Sequence, residues 1–370
     1  MFYAPKFAPV LRDWFAANQR DLPWRDVQNV GNPYRILVSE IMLQQTTVAA
    51  VKSFFARFIW RFPDVFSLAE VDESEVLAHW AGLGYYTRAR NLQKAARAVV
   101  EVHGGDFPRD FEQILALPGV GRYTAGAVAS IAFEQRKPIV DANVARVLSR
   151  VLPVEGDLKS AGAQEKLWEA AMQIVEVETV CPREINPALM ELGALVCTPR
   201  NPRCDACPVS AFCAAFSQGR QDELPAKTAK KTFTLLFDVC IWARNPSGEI
   251  LMRQRPDAKG VWWPLMWELP RITKREGESD ADALARLGEE IGADFEPLEE
   301  VATMKHGVTR FSIELRCFAV EGVNLRADSG AKWLGEAQIA ALPKPSSMEK
   351  LLAKLRATPT AQLSLFEEVD

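Results

Sequence analysis

From the start of the chain to about residue 218, apolar residues recur three and four positions apart, as in Ile36, Leu37, Ile41 and Val48 and again in Val144, Val147, Leu148 and Val151. That spacing is one face of an α-helix, so residues 1–218 are expected to form an almost wholly helical domain. The stretch that follows is polar, holds both Gly and Pro and has no period, which marks residues 219–231 as a linker. Beyond it the period changes to two: Phe233, Leu235, Phe237, Val239 and Ile241 alternate with other residues, and Asn245-Pro-Ser-Gly248 supplies a turn before Ile250-Leu-Met-Arg-Gln-Arg255. This pattern predicts a hairpin. Further strands are expected at 266–272, 299–305 and 311–320, with an amphipathic helix at 279–291 and another at 346–356. Strands and helices without regular βαβ alternation make residues 232–357 an α+β domain, followed by a tail at 358–370.

At 370 residues and 48% hydrophobic composition, the chain has room for two domains and is neither disordered nor fibrous. The net charge of -4 excludes a histone-like polycation. Residues 1–231 carry 27 basic and 26 acidic side chains, the rest 17 and 22, so the helical part is the better partner for a polyanion. No apolar run nears the ~18 residues of a membrane span, and the N-terminus lacks a signal peptide's apolar stretch; a cytoplasmic protein is expected. Of seven cysteines, Cys197, Cys204, Cys207 and Cys213 cluster within seventeen residues, unlike a disulfide framework.

Those four thiols, separated by six, two and five residues, can converge from one small loop. Four soft sulfurs suit zinc or an iron-sulfur cluster; ligand count alone favours neither strongly, since only one Cys-x-x-Cys pair is present and a cubane tolerates wider spacing. Between the first two lies a proline-stiffened loop with Arg200 and Arg203, suited to phosphate. In Leu117-Pro-Gly119-Val120-Gly121-Arg-Tyr123-Thr-Ala-Gly126 a short helix ends in a Pro-Gly turn and another begins. This is either an ordinary helix-to-helix turn or a hairpin whose second helix offers its N–H groups to a nucleic-acid phosphate.

Two carboxylates complete the candidates. Glu40 shares a helical stripe with Ile36, Leu37 and Leu43. A dry setting there would raise its pKa toward that of a proton donor at neutral pH, whereas a place at the stripe's edge would leave it in water. Asp141 precedes the helix that starts near Ala142 and fits an N-cap, where helix N–H groups are expected to keep it ionised. An acid and an anion of this kind are what glycoside cleavage uses to protonate a leaving group and to stabilise an oxocarbenium-like sugar.

Together these motifs resemble the adenine DNA glycosylases of the MutY type, within the helix-hairpin-helix and iron-sulfur glycosylase superfamily. The carriers are Asp21-Leu-Pro-Trp24-Arg25, Ser39-Glu-Ile-Met-Leu-Gln44-Gln45-Thr46, Gly82-Leu83-Gly-Tyr85-Tyr86-Thr-Arg-Ala-Arg-Asn91, the LPGVGRYTAG hairpin, Asp141-Ala-Asn143-Val, Glu191-Leu-Gly-Ala-Leu-Val-Cys197 and the cysteine spacing. The resemblance implies one [4Fe-4S] cluster on the four cysteines of loop 197–213. It implies that Glu40 protonates a flipped adenine and then assists water, that Asp141 stabilises the cationic sugar, and that Tyr123 and Asn143 line the pocket. Trp24 and Arg25 would border the adenine, while Gln44, Gln45 and the turn Leu83–Tyr86 would enter or flank the duplex. Bifunctional relatives place a lysine where Tyr123 stands; a phenol has no amine to form a Schiff base, so base removal without efficient strand cleavage is expected. The implied partner is duplex DNA with adenine opposite 8-oxoguanine or guanine, bound by a monomer.

The second domain resembles the Nudix-like module of the same family through Leu251-Met-Arg-Gln-Arg-Pro256 and Gly260-Val-Trp-Trp-Pro-Leu-Met-Trp-Glu-Leu-Pro270. Of the acidic box that holds Mg²⁺ in working Nudix hydrolases, Glu289-Glu290-Ile-Gly292 survives, while Ala285-Arg286 replaces an Arg-Glu pair and Arg271 and Gly277 stand at the upstream Gly and Glu positions. Pyrophosphate hydrolysis is not expected; the module would read 8-oxoguanine. Its reading loop departs from His-x-Phe-Ser-His, being His306-Gly-Val308-Thr309-Arg310, and Pro187 stands where the family usually has Gln or Glu near the adenine edge.

Overall fold

In the computed structural model, which describes residues 2–226, 232–258 and 260–357, contacts divide the chain into two units. One is Met1–His79 with Thr87–Ala229, the other Trp80–Tyr86 with Lys230–Asp370. The division falls within the stretch expected as a linker, of which residues 227–231 lie outside the described residues, as does the expected tail 358–370. The segment 80–86, expected in the first domain, groups with the second: Tyr86 Oη donates to Lys344 O at 2.7 Å and its ring is buried.

The first unit is helical throughout its described residues. Side chains close the helix starts in the expected way: Asn32, Asp110, Asp141 and Ser160 accept from the amides of Arg35, Gln113, Val144 and Ala163, and Asp64 with Ser67 forms a capping box. Helices Ala4–Asn18, Ala142–Val151, Ala161–Val175 and Pro182–Leu195 bury one core, in which Phe7, Leu11, Leu148, Leu167, Ile185 and Leu189 meet. Helix Pro33–Leu43 differs from an amphipathic surface helix, because every residue from Ile36 to Met42 is buried. A helix enclosed on all sides carries any polar residue in its middle out of water.

Helices Ala142–Val151 and Pro182–Leu195 approach closely at one glycine. A Cβ on Gly193 would lie 2.7 Å from Asn143 Cβ and 3.0 Å from its carbonyl oxygen. Asn143, in the first turn of that helix, therefore sits where only a hydrogen can face it.

The second unit holds two sheets. Strands β1 (Thr234–Trp242), β2 (Ile250–Gln254), β3 (Trp267–Glu268), β4 (Arg271–Thr273), β5 (Ala293–Val308), β6 (Phe311–Leu325) and β7 (Ala331–Leu334) form the sheets β4-β1-β6-β5 and β3-β2-β7. β1 runs parallel to β6, and the other pairs are antiparallel. Helix Asp280–Ile291 packs Leu284 and Leu287 against Val239 and Ile241 on one face; helix Ser346–Ala357 packs Leu351 and Leu352 against Cys240 and Leu315 on the other.

The expected hairpin of residues 233–241 with 250–255 does not form as a ladder. The turn is there, closed by Gly248 N–H to Asn245 O at 2.9 Å, but only the Arg244–Ile250 bridge follows it. β4 and β6 already take the two edges of β1, so β2 turns to β3 and β7. The strand expected at 266–272 is two short strands in different sheets, separated at Leu269–Pro270, and the one at 299–305 extends over sixteen residues with register shifts that obscure its alternation.

Substituting Gly193→Ala should cost about 1–3 kcal/mol of stability through overpacking against Asn143, read as a lower urea midpoint. An unchanged midpoint would mean that the two helices separate freely.

Candidate active site

The buried helix Pro33–Leu43, the first turn of helix Ala142–Val151 and helix Pro182–Leu195 line one cavity of about 750 Å³ in the first unit. Glu40, Tyr123, Asp141 and Asn143 all face it, and so do Trp24, Arg25, Gln44 and Gln45.

Glu40 is 5% exposed, and burial pushes its carboxyl up to about 7. The phenol of Tyr123 donates to Glu40 Oε2 at 2.6 Å and, with the more distant Arg25 charge, opposes that rise; the negative charge of Asp141 adds to it. The enclosure arises because the helix has no solvent face, so the stripe-edge alternative does not apply.

Asp141 caps its helix, accepting from Val144 N–H at 2.7 Å and from Asn143 Nδ2 at 2.9 Å. Arg146 donates to Asn143 Oδ1 at 2.7 Å and so fixes that amide. The expectation that capping would hold Asp141 down is corrected: burial pushes its carboxyl up, against the lowering effect of the Val144 and Asn143 contacts and of Arg146. Desolvation outweighs the helix N-terminus here.

A third carboxylate carried no role in the sequence reading. Glu191, 1% exposed, takes Arg20 Nε at 2.8 Å and Arg25 Nη2 at 2.9 Å. Burial pushes it up, but the hydrogen bonds from Arg20 and Arg25 outweigh that and hold it at about 2. The only hint was its type in Glu191-Leu-Gly-Ala, four residues after Pro187. Pro187 indeed lines the cavity without a polar side chain, and Glu191 supplies the acceptor one helical turn on.

Arg88 also escaped notice. It donates from Nη1 to Ile41 O at 2.9 Å, Met42 O at 3.0 Å and Gln44 O, and from Nη2 to Thr46 Oγ1 at 3.2 Å, covering carbonyls that helix Pro33–Leu43 leaves open. Gln44 then reaches Thr124 Oγ1 at 3.5 Å, and exposed Gln45 sits at φ +55°.

The hairpin expected at 117–126 joins helix Phe111–Leu115 to helix Arg122–Ala127. Gly119 has φ +75°, and a Cβ there would lie 2.5 Å from Asn91 Cβ. Val120 is buried, whereas a Cβ on Gly121 would meet nothing within 4 Å. Tyr85 is exposed at the 82–86 turn, while Leu83 and Tyr86 are buried. Arg200 is exposed, and Arg203 donates to Leu195 O.

Cys197, Cys204, Cys207 and Cys213 line one small cavity. Among the described residues no three His, Cys, Asp or Glu side chains converge closely enough for a single ion. Four sulfurs around a shared space suit a cube that takes one thiolate per corner. Buried Arg150 donates to Cys197 Sγ at 3.2 Å, while burial first, and then the neighbouring thiolates, push Cys207 up to about 11. Such a set becomes favourable when bound iron offsets the crowded negative charge.

In the second unit the expected reading loop is the tip of the β5–β6 hairpin. Val308 pairs with Phe311, exposed Thr309 has φ +52°, and Arg310 is exposed. His306 stands on β5 and is pushed down to about 4 by burial and by Arg271 and Arg255, partly offset by Glu268. The surviving acidic residue Glu290 pairs with Arg253 at 2.9 Å, and Arg286 forms a two-pronged bond to Glu278.

A helix-hairpin-helix unit with a four-cysteine loop defines a class of DNA repair protein, and the comparisons agree. Residues 38–173 match the HhH-GPD superfamily of base excision DNA repair proteins, to which the chain belongs. Residues 197–213 match the iron-sulfur binding domain of endonuclease III, and a [4Fe-4S] cluster is the cofactor; residues 239–354 match the NUDIX domain. More particularly, the chain is similar to the adenine DNA glycosylases of Mus musculus, 45% identical over 60% of this chain and 44% of the mouse protein, and of Homo sapiens, 46% identical over 60% and 41%. That of Arabidopsis thaliana is 36% identical over 75% of this chain and 48% of the plant protein. The chain thus spans about half the length of these relatives. The solved structure of a thermostable thymine-DNA glycosylase matches with TM-score 0.52 and 32% identity over 58% of this chain and 97% of that one. Among the described residues no helix is long and apolar enough to cross a membrane.

Because Glu40 lies near 7 in the fold against 4.5 ordinarily, its protonated form favours the fold. That contribution is complete below about pH 4.5 and is lost as pH rises through about 7. Glu40→Gln should therefore gain stability relative to wild type by roughly 1–3 kcal/mol between pH 5 and pH 8. Denaturation at the two pH values measures this, and a gap that stays constant would show that Glu40 is not buried as an acid.

Proposed function

We propose that the chain is a monofunctional adenine DNA glycosylase of base excision repair, hydrolysing the N-glycosidic bond of adenine opposite 8-oxoguanine or guanine and leaving an abasic site. The observation that carries this reading is that a carboxyl held near 7 and a second carboxyl at a helix start share a cavity of about 750 Å³. That space takes an extruded purine nucleoside.

Extruding the nucleotide costs a few kcal/mol, which contacts to the opened duplex offset. Exposed Gln45 and Tyr85, the Gly119–Gly121 turn and Arg200 supply contacts to bases and phosphates. Inside the cavity Trp24 and the apolar wall take the base face, and Glu191 with Arg25 presents an acceptor and a donor to its edge. Glu40, protonated near neutral pH, gives its proton to a ring nitrogen of adenine. The C–N bond then breaks with its electron pair moving to the base, and positive charge develops on the sugar. Asp141 stands ionised against that charge, oriented by Val144 N–H and Asn143. Glu40, now a carboxylate, takes a proton from the water that attacks the sugar carbon. Tyr123 holds Glu40 in place and has no amine to trap the sugar.

Cys197, Cys204, Cys207 and Cys213 would hold the cluster, which would brace the loop carrying Arg200. The second unit reads the opposite base through Thr309 and Arg310. Its Glu290 is engaged by Arg253, which supports a reading role rather than Mg²⁺-dependent hydrolysis. The protein acts as a monomer on duplex DNA in the cytoplasm.

Single-turnover adenine release should fall by roughly 10²–10⁴-fold in Glu40→Gln, the usual worth of a positioned acid-base group, and by a similar factor in Asp141→Asn, with duplex binding retained. Activity equal to wild type in both variants would end the assignment, and borohydride trapping of a protein-DNA adduct would favour a lyase instead. For the cluster, Cys207→Ser should lower bound iron and sulfide per chain, and unchanged content would remove that cysteine from the ligand set.

A further inference from the structure

Two adjacent tryptophans meet the two strands of the β5–β6 hairpin on either side of its turn. Trp262 packs against Phe311, the first residue of β6, with ring centres 5.2 Å apart and planes tilted by 50°. Trp263 lies against His306 on β5, at 6.1 Å and 31° between planes. Arg310, in the turn itself, lays its guanidinium 5.1 Å from the Phe311 ring centre and so extends this contact to the tip.

The strap that carries both tryptophans is itself tied down. Arg255 and Arg271 approach the Trp263 ring at 5.6 and 5.2 Å, and Arg255 Nη1 donates to Trp262 O at 3.1 Å. Leu265 N–H donates to Arg255 O at 3.1 Å, and Gln254 Nε2 to Leu265 O at 2.9 Å. Trp263 and Leu265 have φ +52° and +62°. Bulky side chains hold that left-handed backbone only where surrounding contacts enforce it. Below, Arg271 and Glu268 are buried to 2% and 0% exposure and stand 3.2 Å apart, while Arg255 Nε lies 2.8 Å from Glu268 Oε1. These ion pairs are close but lack hydrogen-bond alignment, and both His306 ring nitrogens are buried without a partner. The contact His306 makes with Trp263 is therefore one of ring against ring, with no hydrogen bond from the imidazole.

The geometry points to Trp262 and Trp263 as a paired clamp that fixes the angle of the β5–β6 tip, with Trp263 the positioning residue for discrimination of the base opposite adenine. This rests on the proposed reading of that tip as the opposite-base reader. Thr309 is β-branched and sits at φ +52°, so the directions open to its hydroxyl are few while the flanking strands are held. Thr234 N–H, donating to Arg310 O at 3.0 Å, anchors the far side of the turn. Neither tryptophan needs to touch DNA; each acts through the hairpin.

The test uses the full chain with its cluster and compares wild type, Trp263→Leu, Trp263→Phe and Thr309→Ala. Single-turnover adenine release is measured on duplexes with 8-oxoguanine or guanine opposite, and backbone amide exchange is followed over residues 305–312 without DNA. Trp263→Leu should lower the 8-oxoguanine-to-guanine rate ratio by roughly three- to tenfold, about what one aromatic pair is worth, and should speed exchange at the tip; Trp263→Phe should restore both. A lower ratio in Thr309→Ala with an unchanged one in Trp263→Leu overturns the clamp and spares the reader. An unchanged ratio in Thr309→Ala overturns the reader, and exchange alone then decides the clamp: tip exchange equal to wild type in Trp263→Leu overturns it. If Trp263→Leu loosens β1 and β6 as well, the unit has lost its fold, and Trp263→Phe carries the comparison, with slower tip exchange than in the Leu variant required.

Discussion

A carboxyl group removed from water on every side must either find cations or keep its proton, and the first unit is arranged around one that keeps its proton. Glu40 stands in the middle of a helix whose neighbours from Ile36 to Met42 are all buried. Burial pushes its carboxyl up, the Tyr123 phenol and the more distant Arg25 charge lower it only in part, and the negative field of Asp141 adds to the rise. The surrounding structure bears the cost of that choice. Arg88 satisfies the open carbonyls at the helix end, Gly119 lets the hairpin close on Asn91, and Gly193 lets the helix that Asp141 caps approach its neighbour. Each of these contacts holds an element that carries a lining residue of the cavity, Gln44, Tyr123 and Asn143 in turn.

Glu191 shows what the alternative looks like a short way along that wall. It is buried as deeply as Glu40, yet two guanidinium groups hold it ionised, at about 2 against about 7. Partner charge is a clear difference between the two, since Glu191 accepts from two guanidinium groups and Glu40 from a phenol. One cavity can thus hold a proton donor and a permanent acceptor at the same pH, while burial pushes the Asp141 carboxyl up against its amide contacts.

How much of this is legible in the chain depends on how local the cause is. The capping role of Asp141 follows from its position before an amphipathic run, and the four cysteines declare themselves by spacing. The dryness of Glu40 is only half legible: its stripe shows one apolar face, and the helix is enclosed on the others by elements far away in sequence. The Glu191 pair with Arg20 spans 171 residues and leaves no local mark. Asp141 failed in sign because a cap is a local property and desolvation is not. In the second unit the strands were readable by period, but the hairpin at 245–248 was not a ladder, since a strand's edges belong to whichever neighbours the fold brings. Tyr86 was placed by its motif, whereas its hydroxyl is committed to Lys344.

The second unit follows the same logic of charge in reverse. Where a metal-binding sheet would leave carboxylates converging on open space, Glu290 and Glu278 are each engaged by an arginine, from β2 and from helix Asp280–Ile291. A carboxylate committed to a guanidinium is a poor ligand for a hard cation, because binding the ion means first giving up that pair. The fold is thereby released from the demand that its acidic residues stay free, and its sheet can serve as a rigid support. What it supports is the β5–β6 hairpin, whose tip carries a non-glycine residue in a left-handed conformation. Strain of that kind persists only where surrounding contacts hold it, and here buried ion pairs and aromatic contacts lie beside the hairpin.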